Sequence, residues 1–300
     1  MIDLFNLPLP TNADVAVFNE PSTVTNLQWH TWLKPRGRSM MHIICIGGGA
    51  GGGGGFTGIA GADRGGGGSG GSSGVSRVTI PAFYLPDRLY LQVGSGGIGV
   101  GSGGGTAGAG VLSYVAIAPD ITASNVVAIS GAAAATGGGT GTGVAAGAAG
   151  VASTIAVIGS MPLAGSGQFA LIAGHVGFAG GSDNGAAGTN SAIPTTSTLC
   201  ASGAGGAGVR ATDTAGGGFA AIAASYLSGI RPIAPATGSN NGCGGFAVGR
   251  PLFFFGGCGG SASNAGVGGQ GGNGAYGSSG GGGGGGTTGG RGGGGGSGLV

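Results

Sequence analysis

The sequence predicts a mainly β chain in which short apolar strands alternate with a bundle of threefold glycine helices, with almost no α-helix. Three observations point there. Glycine supplies 84 of the 300 residues, about four times ordinary usage. It recurs at every third position from 268 to 298, the period of a polyproline-II-type helix with three residues per turn. The glycine tracts are interleaved with short runs rich in β-branched and aromatic residues, the mark of strands.

Composition narrows the class further. Only 6% of residues are charged, 10 Lys+Arg against 8 Asp+Glu, for a formal net charge of +2. A solvated globular surface carries roughly a quarter of its residues charged. The same scarcity excludes a charge-rich disordered chain, and the net charge is too small for a nucleic-acid footprint. With 12 prolines and no chain-wide glycine period, collagen is excluded as well.

Residues 1–28 form an ordinary polar and apolar mixture containing Pro8, Pro10 and Pro21. They are read as an arm whose apolar residues Leu4, Phe5, Leu7, Val17 and Phe18 are candidates for attachment to a neighbouring subunit. The first residues lack a basic region, and Asp3 and Pro8 break the apolar stretch, so no secretory signal is expected. No apolar window is long enough for membrane insertion, and synthesis in a cytoplasm follows.

Residues 29–300 form the glycine-rich domain. Both tryptophans, the single lysine and two of the three histidines fall within 29–46, and Trp29 and Trp32 read as core at the first strand, with a docking patch as the other choice. Arg88–Val93 alternates with period two, Leu89, Leu91 and Val93 facing one way. The other expected strands are 39–46, 75–80, 111–118, 125–129, 153–158, 168–173 and 251–255. The alanine-rich stretch 131–150 has helical composition, but each of its glycines would cost about 1 kcal/mol in a helix.

The glycine tracts carry the architecture. A threefold helix makes no internal hydrogen bonds. Its peptide groups point outward in three directions, so six neighbours in a hexagonal array can satisfy them. A side chain at a buried position would block that approach. Longer side chains are therefore expected on the rim: Gln270, Asn273, Tyr276, Thr287, Thr288 and Arg291. A straight helix over 268–298 would span about 100 Å at ~3.1 Å per residue, roughly twice the width of a compact domain of this length, so the tract must fold back. Gly49 to Gly61 holds one threefold frame, Ala62-Asp63-Arg64 interrupts it, and Gly65 to Gly74 resumes it one residue out of step. This predicts two antiparallel threefold helices joined by a polar turn.

Trp32-Leu33-Lys34-Pro35-Arg36-Gly37, the apolar run 40–46 and the tract 47–55 resemble the opening of glycine-rich domains in bacteriophage tail-fibre and virion-appendage proteins. Val78-Thr79-Ile80-Pro81, Leu85-Pro86 and Leu89–Gly97 are similar to their next element, and the block 268–298 followed by Leu299-Val300 to their end. The resemblance covers residues 30–300. It implies a jelly-roll-like β-sandwich with polyglycine-II helices inserted between strands, in a homotrimer.

Chemical motifs are sparse. Ser69 and Ser72 each fall in a G-x-S-x-G pattern, which chance supplies in a tract this rich in Gly and Ser. A Walker loop fails because Lys34 is followed by Pro35. His42 and Cys45, three apart in a strand, face opposite ways. His30 and His175 have no acidic or cysteine neighbour at ligand spacing, and no carboxylates pair in the sequence. No catalytic residue, metal site or cofactor is therefore expected. The four cysteines read as small buried thiols. Arg64, Arg210, Arg231 and Arg291 read as solvating charges, with receptor contacts at a tip as the other choice.

The functional expectation is a non-enzymatic structural protein of a phage virion, a fibre or adhesin module that presents a rigid surface for host attachment. Its partners would be other virion proteins, further copies of itself and a bacterial surface receptor. A capsid-decorating head fibre or cement protein is the alternative. Ice binding by a flat glycine-helix face and a depolymerase on the same appendage are readings of other classes.

Overall fold

The computed structural model describes residues 14–19, 28–131, 133–154, 168–182, 188, 191–192, 199–210, 213–214, 220–221, 241, 243–245, 247–249 and 252–300. Two antiparallel sheets organise the chain. The first joins β2 (Met40–Ile46), β3 (Val75–Pro81) and β7 (Gln168–Ile172) in the order β2-β3-β7. The second joins β1 (Trp29–Leu33), β4 (Arg88–Gln92), β5 (Tyr114–Ala116) and β6 (Val126–Ile129) in the order β1-β4-β5-β6. The only helix among the described residues is a 3-10 turn at Ala82–Tyr84.

The strands form where side chains alternate or are buried on both faces. In β4, Leu89 and Leu91 point inward while Arg88, Tyr90 and Gln92 point outward. One apolar cluster draws on both sheets: Ile43, Cys45, Val78 and Ile80 from the first, Leu89, Leu91, Val115, Val127 and Ala128 from the second, with Trp32 packed against it. The other face of the first sheet carries Ile44, Ile46 and Val75, which bury against Leu199, Cys200, Phe254 and Leu299.

Where the boundaries differ from expectation, hydrogen bonding explains it. Of 111–118, only 114–116 joins a sheet, because Val111 is already committed to glycine segments, donating to Ser95 and accepting from Gly48. Of 153–158, Thr154 makes a bridge with Ala133, and 155–158 lie outside the described residues. Residues 29–33 form a complete strand paired with β4. Two-residue and three-residue ladders occur at 209–210 with 213–214, 191–192 with 220–221, and 247–249 with 252–254.

Glycine segments prolong the sheets at one end. Segment 48–56 donates in strict rotation. Gly48 and Gly51 bond Val111 and Gly108. Gly49, Gly52 and Gly55 bond Gly296, Gly293 and Gly290. Ala50, Gly53 and Phe56 bond Gly71, Gly68 and Gly65. The same segment accepts from Gly97 and Val100, from Gly138 and Gly141, and from Gly280, Gly283 and Gly286. It is thus hydrogen-bonded to six neighbouring segments. Segments 65–73 and 277–286 are surrounded in the same manner. A bond of this kind contributes roughly 1 kcal/mol net, and here the bonds take the place of side-chain packing.

The antiparallel pair expected across Ala62-Asp63-Arg64 is present, with bonds 50 to 71, 53 to 68 and 56 to 65, and Gly61 at the turn has φ +76°. The 268–298 tract folds back twice, into limbs 268–274, 277–286 and 290–298, with Gly277 at φ +67° in the first turn. Gln270, Asn273, Thr288 and Arg291 are exposed, and Tyr276 and Thr287 are half-buried. Glycine is required at most interior positions, because a methyl group on Gly52, Gly67 or Gly283 would overlap the carbonyl oxygen of Gly281, Gly53 or Gly290. Ala50, Ser69, Ser72 and Ser279 are among the small residues that fit, fully buried.

Two expectations are corrected. Arg64 is not a solvating charge but is completely buried. Its Nη2 donates to the Asn264 carbonyl (2.6 Å) and Oδ1 (3.1 Å), and its Nη1 to the Gly58 carbonyl (3.4 Å). Its position beside the tight turn folds the side chain back over Gly58 instead of into water. Cys243 and Cys258 are not thiols but a disulfide, with Cα atoms 5.1 Å apart. Segment 257–263 brings them together through the bond from Cys258 N–H to the Cys243 carbonyl. Arg210 is exposed, as a solvating role requires; Arg291 is exposed as well, but its Nε donates to the Gly99 carbonyl (2.9 Å) and ties two glycine segments together. Arg231 lies outside the described residues.

Cys45 and Cys200 are buried free thiols, and burial raises both above the ordinary thiol range. Both are expected to resist a thiol-specific disulfide reagent in the native protein. They should react within minutes in denaturant, so thiol titration across a urea gradient should trace unfolding.

Candidate functional site

The fold has two distinct ends. At the outer end the turns of the glycine segments meet. Thr57 donates to Ser102 Oγ (2.6 Å) and accepts from the Gly289 N–H (2.8 Å). Thr140 donates to the Gly105 carbonyl (2.6 Å), and Arg64 ties 58 to 264. Exposed Ile59, Val144 and Val267 stand on these turns. Short loops held by a stiff scaffold are where binding residues concentrate.

At the inner end, residues 14–19 lie along the first sheet. Phe18 exchanges backbone hydrogen bonds with Val300, and Leu299 exchanges them with Ile46 of β2. Between 14–18 and β2 lies a cavity of about 270 Å³ lined by Val17, Phe18, Trp32, Met41, Leu91 and Val300 among others. Arg38 Nη2 and Asp14 Oδ2 (2.8 Å) form an ion pair beside it. On its floor, Lys34 Nζ donates to the carbonyls of Ala82 (2.9 Å) and Leu85 (2.6 Å), fixing the 3-10 turn. Of the expected attachment residues, Phe18 packs against the shared apolar cluster and Val17 is exposed. Leu4, Phe5 and Leu7 lie outside the described residues. The sequence reading missed the β2 edge and the cavity, because their walls come from segments hundreds of positions apart.

The serines of the motifs serve the backbone, and two of the histidine rings pair with side-chain hydroxyls. Ser69 and Ser72 hydroxyls accept from the N–H groups of Phe178 (2.8 Å) and His175 (2.7 Å), and Ser72 donates to the Cys200 carbonyl (2.6 Å). His175 Nδ1 meets Ser202 Oγ at 2.6 Å, but both residues are buried. No group of three metal-ligating side chains occurs among the described residues, and none of their helices is long and apolar enough to cross a membrane.

His42 shares a face of the first sheet with Arg77. Its Nδ1 pairs with Thr79 Oγ1 (2.7 Å), while its Nε2 is buried without a hydrogen-bond partner, as are Arg77 Nε and Nη2. Burial first, then the charge of Arg77, lowers the imidazole pKa below 6.5. The unfolded chain therefore takes up this proton more readily. Stability from neutral His42 is complete above pH 6.5 and is lost as pH falls toward the depressed folded-state value. The urea midpoint is expected to fall between about pH 7 and 5, with a shallower fall in His42→Asn.

Comparison of the sequence with protein-family models and with curated proteins finds no match. The functional reading therefore rests on the fold and on the two ends.

Proposed function

We propose that the chain is a non-enzymatic structural module of a bacteriophage virion, a fibre or adhesin whose outer turns present a rigid surface to the host. The reading takes the two sheets as a jelly-roll-like sandwich and the glycine segments as polyglycine-II helices. Its inner end and the 1–28 arm attach to neighbouring virion proteins, and the unit is a homotrimer. The supporting observation is segment 48–56 with its six hydrogen-bonded neighbours. Such a bundle is stiff without a large side-chain core and offers proteases little loose backbone, as an exposed appendage requires. The low charge, 6% of residues, suits dense contact between copies.

Antibody labelling of intact particles by electron microscopy tests this. Labelling at fibre or tail tips supports the adhesin role. Labelling over the capsid favours decoration, and absence from purified particles overturns the reading.

A further inference from the structure

We propose that Arg77 and His42, neighbours on one face of the first sheet, form a binding site for a small free oxyanion of tetrahedral shape, of the sulfate or phosphate type. Register sets the face. Across β2 and β3, Thr79 pairs with His42 and Arg77 with Ile44. Residues two apart along a strand point the same way, so these four side chains lie together. Ile44, Ile46 and Val75 make the apolar end of the face. Arg77, Thr79 and His42 continue it as a polar end, each half-buried.

The polar end holds donors without acceptors. Arg77 Nε and Nη2 are buried without a hydrogen-bond partner among the described residues, and so is His42 Nε2. In a guanidinium, Nε and Nη2 form one edge whose N–H bonds run side by side and match two oxygens of a single anion. Nη1 is the guanidinium nitrogen that reaches the surface. On the imidazole, Nδ1 is engaged with Thr79 Oγ1 (2.7 Å). A Thr79 hydroxyl that donates to Nδ1 leaves the ring proton on Nε2.

A buried charge is costly unless it is paired. No carboxylate pairs with Arg77 among the described residues. The elements around it supply none: β7 has no acidic or basic residue. Asp14 lines the cavity that His42 also borders, but Arg38 holds it (2.8 Å). Lys34, at the same cavity, faces Asp87 (3.4 Å).

The donor set names the ligand class. A carboxylate spends both oxygens on the guanidinium edge. A tetrahedral ion has a third oxygen left for His42 Nε2. The cover over the Nε–Nη2 edge keeps out an acidic side chain carried by a bulky partner. A small ion meets the fork at Nη1 and takes the edge as the arginine tip turns. An anion beside the ring favours imidazolium, so the site takes up a proton as it fills. Affinity therefore rises as pH falls.

The test is a sodium sulfate titration of the full chain, with sodium chloride holding the ionic strength constant. Sulfate keeps its charge over the working pH range. NMR follows the Arg77 Nε–H and the His42 ring. Both signals are expected to shift saturably with one common Kd, while the His30 ring stays still. Binding at about pH 5 is expected to be tenfold or more tighter than at about pH 8. His42→Gln retains a neutral donor, and its affinity should be equal at the two pH values. Arg77→Met keeps the apolar stem and should weaken binding at least tenfold. Acetate should bind at least tenfold more weakly than sulfate. The titration of the unsubstituted chain decides the matter even if a variant fails to fold. An unsaturable drift shared by His30 and His42, a pH-independent affinity, or acetate binding as tight as that of sulfate each overturns the proposal. The inference does not rest on the virion reading, and either can fail without the other.

Discussion

Gly283→Ala is expected to unfold the protein or prevent its folding, while Gly101→Ala is expected to leave it intact. Gly283 donates to Gly53, accepts from Gly67 and lies inside segment 277–286. A methyl group there would overlap the Gly290 carbonyl oxygen, with the Arg291 backbone close behind. The obstacle is main chain on a neighbouring limb, itself bonded to further limbs, so no side chain can rotate away. Overpacking a core costs about 1–3 kcal/mol when side chains give way. Here relief requires separating two limbs and their hydrogen bonds, at about 1 kcal/mol each, and the expected loss exceeds 3 kcal/mol. At Gly101 nothing stands within 4 Å of the added carbon and φ is not positive. Alanine there restricts the unfolded chain and is expected to be neutral or to stabilise by up to about 1 kcal/mol. Urea midpoints of the two variants measure the contrast directly.

Arg64→Met is expected to cost about 2–4 kcal/mol. The substitution retains an unbranched side chain but removes every donor to the Asn264 carbonyl, Asn264 Oδ1 and the Gly58 carbonyl. Those groups lie at the outer turns, where 57–64, 264–267 and 286–289 converge. The loss should appear as a lower thermal midpoint together with new proteolytic cleavage within 58–63. Arg64→Lys retains one charged donor group in place of the planar fork and should recover only part of the loss. A solvating arginine would tolerate either change within ~0.5 kcal/mol.

The sequence was most legible where a single local rule dominates. The threefold frame of 268–298 and the frame shift at Ala62-Asp63-Arg64 follow from the requirement that backbones approach closely, and both reappear as hydrogen-bond registers. Alternation along 88–93 foretold β4 for the same reason: the rule is local. Arg64 was misread because a lone charge among glycines looks solvated unless its acceptors are known, and these are 200 residues away at Asn264. The Cys243–Cys258 disulfide was missed because its spacing acquires meaning only once segment 257–263 is in place. The cavity beside β2 could not be read at all. It exists because 14–18, 299–300 and 40–46 meet in space, and no pattern within any of them announces the others.

The central claim is that bare main chains, laid side by side and hydrogen-bonded to one another, hold this protein together. Native-state hydrogen exchange at residues 48–56, 65–73 and 280–286 tests it most directly. The account expects these glycine amides to exchange as slowly as the strand amides of β2 and β3, through opening that approaches global unfolding. Exchange at the rate of unstructured glycine, with β2 and β3 still protected, would contradict it.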